Sequence, residues 1–304
     1  MATLSEWSAG ARPRTLPMAV CPVLIGAAAA FASPAELRLA LLLGITALAL
    51  VVSLALQVGV NYANDYSDGV RGTDDVRVGP MRLTASGAAR PGQVKAAAFL
   101  SFGIAGIAGL VIVLVTAQWW MLAVGAVCVL AAWWYTGGSK PYGYLGLGEV
   151  MVFIFFGLVA TLGTTYAVLA AAEAQDGFPW VAASIGAVSH GLIASALLMA
   201  NNVRDIPTDR ESGKMTLAVR LGDTKARWAY VVMVAAAVLL PLWMLMDNPW
   251  VVFVALSWAL AVPPAQRILN QQHTGPALIP VLQQTGSLGL VFAITYSLAL
   301  LIGA

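Results

Sequence analysis

Long apolar runs separated by short polar stretches organise this chain of 304 residues. Nine runs, at about 16–33, 38–62, 94–116, 119–136, 147–172, 180–203, 227–246, 249–269 and 281–303, match the ~20 mainly apolar residues that a helix needs to cross a bilayer. Lipid offers a backbone no hydrogen-bond partners, and these runs are too long and continuous for barrel strands, so they predict helices. The expected fold is an all-α polytopic membrane protein with about nine transmembrane helices, residues 1–304 forming one integral-membrane domain.

Composition agrees with the pattern: 60% of the residues are hydrophobic and 10% charged, against roughly 45–50% and about 25% in soluble domains. Mean hydropathy is +0.83. With the N-terminus inside, one side carries every Lys and Arg except Arg38. The positive-inside rule makes that side cytoplasmic, in a plasma-membrane protein. The net charge of +2 then reflects lopsided loops, not a nucleic-acid surface. Arg12 and Arg14 before an apolar stretch, with Ala30-Phe31-Ala32 after it, imitate a signal peptide. Pro17 and Pro22 interrupt that stretch, and an uncleaved first span fits the charge asymmetry, so a retained span is expected. Cys21 and Cys128 fall inside predicted spans, which leaves no disulfide framework or thiolate metal site.

Two acid-rich clusters stand where the second and sixth runs end, both on the cytoplasmic side: Asn61-Tyr62-Ala63-Asn64-Asp65-Tyr66-Ser67-Asp68 and Asn201-Asn202-Val203-Arg204-Asp205-Ile206-Pro207-Thr208-Asp209. Their equivalent positions hint at an internal repeat of four helices. Asn61, Asp65 and Asp68 share one helical face, with Asn64 one turn before Asp68. Asn201, Asp205 and Asp209 repeat every four residues, and Pro207 is expected to distort that end. Both clusters can aim several oxygens at a shared cavity. Mg²⁺ commonly takes one or two carboxylates plus substrate phosphates, and metal-bound diphosphate is a good leaving group. Solvated helix ends, calcium binding, and proton or cation coupling in a transporter are the alternatives for this spacing. A transporter, however, is expected to carry its ionisable groups at the midplane, not crowded at one mouth.

Lys140, Arg204 and Lys214 lie near these clusters in sequence, and Arg12 enters the first span from the same side, so each is a candidate phosphate partner as well as a topology determinant. The segment Trp133-Trp134-Tyr135-Thr136-Gly137-Gly138-Ser139-Lys140-Pro141-Tyr142-Gly143-Tyr144-Leu145-Gly146-Leu147-Gly148-Glu149 combines glycines that allow close backbone approach with aromatics that can wall a flat substrate or form an interfacial belt. His190 falls near mid-membrane, where a neutral imidazole bonded to a neighbouring helix is expected. Gly103, Gly106 and Gly109 suit close helix packing.

Asn64-Asp65-x-x-Asp68 and Asp205-x-x-x-Asp209 resemble the paired aspartate motifs of the UbiA superfamily of intramembrane prenyltransferases. Arg12-Pro13-Arg14-Thr15-Leu16-Pro17, Asn61-Tyr62-Ala63-Asn64-Asp65-Tyr66, the Tyr142–Glu149 stretch and Asn201-Asn202-Val203-Arg204-Asp205 with Gly213-Lys214-Met215-Thr216-Leu217 resemble its 1,4-dihydroxy-2-naphthoate branch. The resemblance runs from residue 12 to about 222. It implies nine helices around a central cavity and Mg²⁺-dependent transfer of a polyprenyl group from its diphosphate to an aromatic acid. On this chain it implies metal ligation by Asn64, Asp65, Asp68, Asp205 and Asp209, with two Mg²⁺ ions bridging the diphosphate. The superfamily pattern has a further Asp where this chain has Gly72, which transfers that role to Asp74. Asn61, Asn64, Asn201, Arg12, Lys214, Tyr66, Tyr135 and Tyr142 are expected to bind substrate, Arg204 and Lys140 to neutralise charge, and the faces of Tyr66 or Tyr135 to shield the reacting allylic group. Other acceptors, such as 4-hydroxybenzoate, fit the superfamily equally.

Overall fold

The computed structural model describes residues 2–72 and 81–304, and every regular element among them is helical. Helix α1 (Leu4–Gly10) starts on a capping box, in which the Thr3 hydroxyl accepts from the Glu6 amide and the Glu6 carboxylate accepts from the Thr3 amide. A 3-10 turn at Pro13–Thr15 leads into α2 (Pro17–Phe31), the two parts meeting at 50°. Then come α3 (Leu39–Arg71), α4 (Pro91–Thr116) and α5 (Met121–Trp134). Helix α6 (Gly148–Val152) passes through a π-helical stretch at Phe153–Val159 into α7 (Ala160–Ala171), forming one span. The second half holds α8 (Trp180–Arg204), the short α9 (Ile206–Glu211) and α10 (Leu217–Leu221), then α11 (Asp223–Leu239), α12 (Ala255–Leu269) and α13 (Ile279–Ile302).

The nine apolar runs each correspond to a helix. Among the described residues seven spans pass as membrane-crossing by length and composition, and the bent α1–α2 pair makes an eighth. The ninth run is α5, whose 14 residues reach only about 21 Å, short of a ~30 Å hydrocarbon core. Helix α3 corrects a predicted boundary. It continues to Arg71 instead of ending near residue 62, so the whole first cluster is helical. Gly72 closes it with φ +73°, the left-handed conformation usual after a helix. At Asp205 α8 gives way to α9, with Pro207 in the first turn of the new helix. Backbone bonds from Asp205 to Asn201 and from Asp209 to Asp205 nevertheless keep the four-residue rhythm.

Helices α2, α8 and α13 pack at the centre, where Ile25, Ile193, Phe292 and Tyr296 are fully buried. The π-helical stretch crosses α8 through glycine on both sides, since a Cβ on Gly157 would lie 2.7 Å from the Gly191 Cα. Outward-facing Leu100, Ile107, Val232 and Leu256 are more than 60% exposed, an apolar coat suited to lipid. Gly103 and Gly106 do not serve close packing: a Cβ on either meets nothing within 4 Å, and on Gly109 only Val52 at 3.9 Å. Gly103 faces outward, while Gly106 and Gly109 border a cavity instead of a neighbouring helix.

His190 fills a specific backbone vacancy. Pro22 has no N–H, so the carbonyl of Met18, four residues earlier in α2, lacks its helical donor. His190 Nε2 on α8 lies 3.1 Å from that oxygen, fully buried, and the contact makes Nε2 the protonated nitrogen. Replacing His190 by Leu is expected to cost about 1–3 kcal/mol through the orphaned carbonyl, seen as a lower unfolding midpoint in detergent. Adding Pro22→Ala, which restores a helical donor, is expected to recover part of it. An unchanged midpoint in His190→Leu would remove this role.

Candidate active site

A cavity of about 830 Å³ lies between α2, α3, α4, α5, the α6–α7 span and α8. Helix α3 supplies its polar wall. Gln57, Asn61, Asn64 and Asp68 all line it, and at about 100° per residue they fall on a narrow stripe of the helix. Asn61 Nδ2 donates to the Ala11 carbonyl (2.8 Å), and Gln57 Nε2 donates to the Thr15 hydroxyl (3.1 Å), which fixes both amides against the turn before α2. Arg12, in that turn, adopts φ +53° and ψ +67°. This left-handed conformation costs a non-glycine residue roughly 1–2 kcal/mol, and Arg12 also borders the cavity.

The glycine-rich segment between α5 and α6 closes the charged end and is stitched to α3 at three levels. The Thr136 hydroxyl donates to Asn64 Oδ1 (2.7 Å), the Arg71 guanidinium donates to the carbonyls of Thr136 and Gly138, and the Tyr144 hydroxyl donates to Asp68 Oδ1 (2.7 Å). Gly143 is required by the fold of this segment. Its amide bonds the Tyr135 carbonyl at 3.0 Å, and a Cβ there would lie 2.6 Å from the same oxygen. Tyr144 also joins the two acid clusters, because its carbonyl accepts from the Met215 amide (3.1 Å) in the segment that follows α9. The Lys214 ammonium lies 5.1 Å and the Arg71 guanidinium 5.5 Å from the centre of its ring.

Helix α8 brings Asn201 and Asn202 to the cavity. Arg204 donates through Nε and Nη2 to the two oxygens of Asp205, each at 2.7 Å, and through Nη2 to Asn201 Oδ1 at 2.9 Å. That fork holds a buried carboxylate in a fixed orientation. Asp209, also buried, accepts from the Lys214 amide through its backbone carbonyl at 2.8 Å, and its carboxylate lies 3.5 Å from the Thr216 hydroxyl. Behind Asn202, whose Nδ2 donates to Glu149 Oε1 (2.9 Å), the Glu149 carboxylate is buried at the start of α6.

Of the residues expected to bind substrate or metal, Arg12, Asn61, Asn64, Asp68, Tyr135, Tyr142, Asn201 and Lys214 line the cavity. Others stand elsewhere. Lys140 is in an exposed turn, because the segment turns outward at Gly138 (φ +78°) before Pro141. Tyr66 stacks against Trp133 with the Lys95 ammonium over both rings, on the far side of α3 from the stripe. Trp134 is exposed, so Trp133 and Trp134 do not wall the cavity. Asp65 is buried behind the wall, accepting from the Leu83 and Thr84 amides at 2.8 Å each. Asp205, Asp209 and Arg204 are buried beside the lining without belonging to it. Asp74 lies outside the described residues. Tyr142 donates to the Ala131 carbonyl (2.8 Å), and burial pushes its phenol well above the usual range, so it is a wall and donor instead of a base.

Four contributors were not singled out from sequence. Arg82 borders the cavity but reads in sequence as one basic loop residue among several. Arg71 and Tyr144 announce themselves only through tertiary partners. Gln57 carried a legible signal, a lone amide one turn before Asn61 in an apolar run.

The donor set tests whether Mg²⁺ fits. The cavity's charged end offers amide and carboxylate oxygens from Asn64, Asp68 and Asn201, which suit a hard cation. Among the described residues, no three His, Cys, Asp or Glu stand close enough to hold an ion on their own. That agrees with an ion completed by substrate phosphates, the usual habit of Mg²⁺.

Away from this end the lining becomes apolar. Phe155, Phe156, Val159 and Gly163 continue the wall inward, and Leu122, Gly125 and Leu130 carry it toward the lipid-facing side of α5. An extended apolar substrate with an anionic head matches that gradient.

Comparison with known proteins gives the same direction. The model of the UbiA prenyltransferase family matches residues 19–278. A Mycobacterium tuberculosis protein named 1,4-dihydroxy-2-naphthoate octaprenyltransferase is 47% identical over 304 residues, covering 100% of this chain and 99% of that one. The Escherichia coli protein of the same name is 34% identical over 288 residues, covering 92% and 89%. Among solved structures, a UbiA homolog from Aeropyrum pernix superposes with a TM-score of 0.68 at 16% identity, covering 94% and 97%. One from Archaeoglobus fulgidus, bound to DMAPP and Mg²⁺, gives 0.63 at 15% identity, covering 98% and 99%. These two likenesses concern the fold alone. On the match of its family model and of its full-length relatives, this chain belongs to the UbiA prenyltransferase family.

Proposed function

We propose that this protein transfers a polyprenyl group from polyprenyl diphosphate to 1,4-dihydroxy-2-naphthoate, with loss of diphosphate and CO₂, giving demethylmenaquinol, the reduced form of demethylmenaquinone. The observation that carries the reading is the cavity's polarity: amide and carboxylate oxygens with Arg12, Arg82 and Lys214 at one end, and a continuous apolar lining beyond them. The 47% identity to a relative named for this acceptor supports the choice of naphthoate over 4-hydroxybenzoate. The orientation proposed for this multi-pass membrane protein puts the N-terminus and charged mouth on the cytoplasmic side of the plasma membrane, following its Lys and Arg distribution.

Asn64 and Asp68 from α3, with Asp205 at the end of α8 and Asp209 in α9, are the proposed holders of two Mg²⁺ ions. When bound, Mg²⁺ absorbs the charge that develops on the departing diphosphate. Arg12, Arg82 and Lys214 bind the remaining phosphate oxygens, Arg204 keeps Asp205 oriented, and Tyr144 does the same for Asp68. Asn61 and Asn201 hold the head of the substrate between the two clusters. The allylic C–O bond breaks with its electron pair leaving on the diphosphate. Tyr135, Tyr142, Phe155 and Phe156 exclude water and face the allylic cation with their rings. The ring carbon bearing the carboxylate forms the new C–C bond, and the electron pair of the departing CO₂ restores aromaticity. The apolar side of the cavity takes the prenyl tail.

Purified protein given a labelled polyprenyl diphosphate and dihydroxynaphthoate is expected to form demethylmenaquinol with Mg²⁺ and not after chelation. Prenylation of neither this acceptor nor 4-hydroxybenzoate, with metal present, would defeat the reading. Asp68→Asn is expected to lower kcat on the order of a hundredfold or more, the range for loss of one electrostatic catalytic group. Tyr144→Phe, which leaves Asp68 in place but unoriented, is expected to lose about tenfold, as for one hydrogen bond to a charged group. Equal activity in Tyr144→Phe and wild type would exclude the orienting role.

A further inference from the structure

Two aspartates of the first cluster, three residues apart, face different ways. Asp68 lines the cavity, whereas Asp65 is 1% exposed and absent from its wall. Both Asp65 oxygens are engaged, Oδ2 by the Leu83 amide and Oδ1 by the Thr84 amide, each at 2.8 Å. The residue immediately before this pair is Arg82, which borders the cavity.

The same short segment is anchored on two further sides. The Leu83 side chain is fully buried, and it sits so close to α1 that a Cβ on Gly10 would lie 2.7 Å from its Cδ1. Gly69, one turn beyond Asp65 in α3, leaves room for Thr84, since a Cβ there would lie 2.6 Å from the Thr84 Cβ and Cγ2. Two adjacent backbone N–H groups converging on one buried carboxylate form a charge-assisted clamp, and neither can turn away without leaving a buried polar group unsatisfied. The backbone at 83 and 84 is therefore fixed relative to α3, and so is the origin of the Arg82 side chain. Arg82 and Asp68 then both border the cavity from one rigid unit.

We propose that Asp65 is a positioning residue for the anionic head of the substrate, acting through the backbone of Leu83 and Thr84 to hold Arg82 against the diphosphate, and is not a metal ligand. The inference rests on the prenyl-diphosphate reading above for the identity of the anion. The clamp itself stands on geometry alone. It separates the roles within the cluster: Asn64 and Asp68 toward metal and diphosphate, Asp65 toward the loop that brings the cation.

The test combines kinetics with amide hydrogen exchange on the full-length protein. Asp65→Asn, Arg82→Ala and the double variant are compared with wild type, with polyprenyl diphosphate and Mg²⁺ each titrated. The expected result is a KM for the diphosphate raised on the order of tenfold in both single variants. The double variant is expected to be no worse than Arg82→Ala, and the Mg²⁺ concentration for half-maximal activity unchanged. Multiplying effects in the double variant, or a raised Mg²⁺ requirement in Asp65→Asn, would overturn the proposal in favour of direct ligation. Amide exchange at Leu83 and Thr84 is expected to accelerate in Asp65→Asn and not in Arg82→Ala. Unchanged exchange would refute the clamp whatever the substrate proves to be. Should Asp65→Asn fail to fold, Arg82→Ala still decides, because an unaltered diphosphate KM in that variant excludes the role given to Arg82. Wild-type protein that prenylates no acceptor counts against the functional reading instead, and the exchange measurement then judges the clamp independently.

Discussion

Lipid gives a buried polar group nothing to bond with, and the rest of this molecule follows from that constraint. Every amide, carboxylate and guanidinium inside the helical bundle must find its partner in the protein. The charged end of the cavity satisfies the requirement by mutual pairing: Asn64 with Thr136, Asp68 with Tyr144, Asp205 with Arg204 and Asn202 with Glu149. The same pairing fixes side-chain directions. A site built this way is oriented before substrate arrives, which is what electrostatic catalysis in a water-poor cavity demands. The gap in helical bonding that Pro22 leaves at the Met18 carbonyl is closed by His190 under the same rule.

Tyr144 is where the two halves of the site meet. Its hydroxyl holds Asp68 on α3, and its carbonyl receives the amide of Met215, next to Lys214 and the second cluster. The glycines around it let the segment fold tightly enough to reach both, as the Gly143 contact with the Tyr135 carbonyl illustrates. The connection between α5 and α6 is thus a brace between the acid clusters, and its aromatics serve different ends. Tyr135 and Tyr142 form cavity wall, Tyr144 forms the brace, and Trp133 packs outward against Phe99 and Tyr66.

Charge is distributed within the site by depth. Arg12, Arg82 and Lys214 line the cavity, whereas Arg204 stands beside it, paired with the carboxylate of Asp205. Arg227 shows the structural extreme. It is 1% exposed and donates to Asp223 and to the carbonyls of Ile268, Asn270 and His273, so it closes the end of α12 instead of serving chemistry. Cations that look equivalent in sequence therefore divide into cavity-lining, carboxylate-paired and helix-closing groups.

The number and order of the helices, the side on which the acid clusters lie relative to one another, and the oxygen-rich character of the site were all legible in the sequence. Apolar length and charge sign are local properties, and lipid enforces them strictly. The cavity stripe of α3 was half legible, since helical spacing grouped Asn61, Asn64 and Asp68 correctly but took Asp65 along with them. Which way Asp65 faces depends on two backbone amides 18 and 19 residues later, and no periodicity within α3 encodes that. Lys140 and Tyr66 were misplaced for the same reason, their proximity to the motifs being one of sequence and not of space. Helical period determines which residues share a face, but only the packing of other segments decides which face meets the cavity and which carboxylate is spent on holding the backbone.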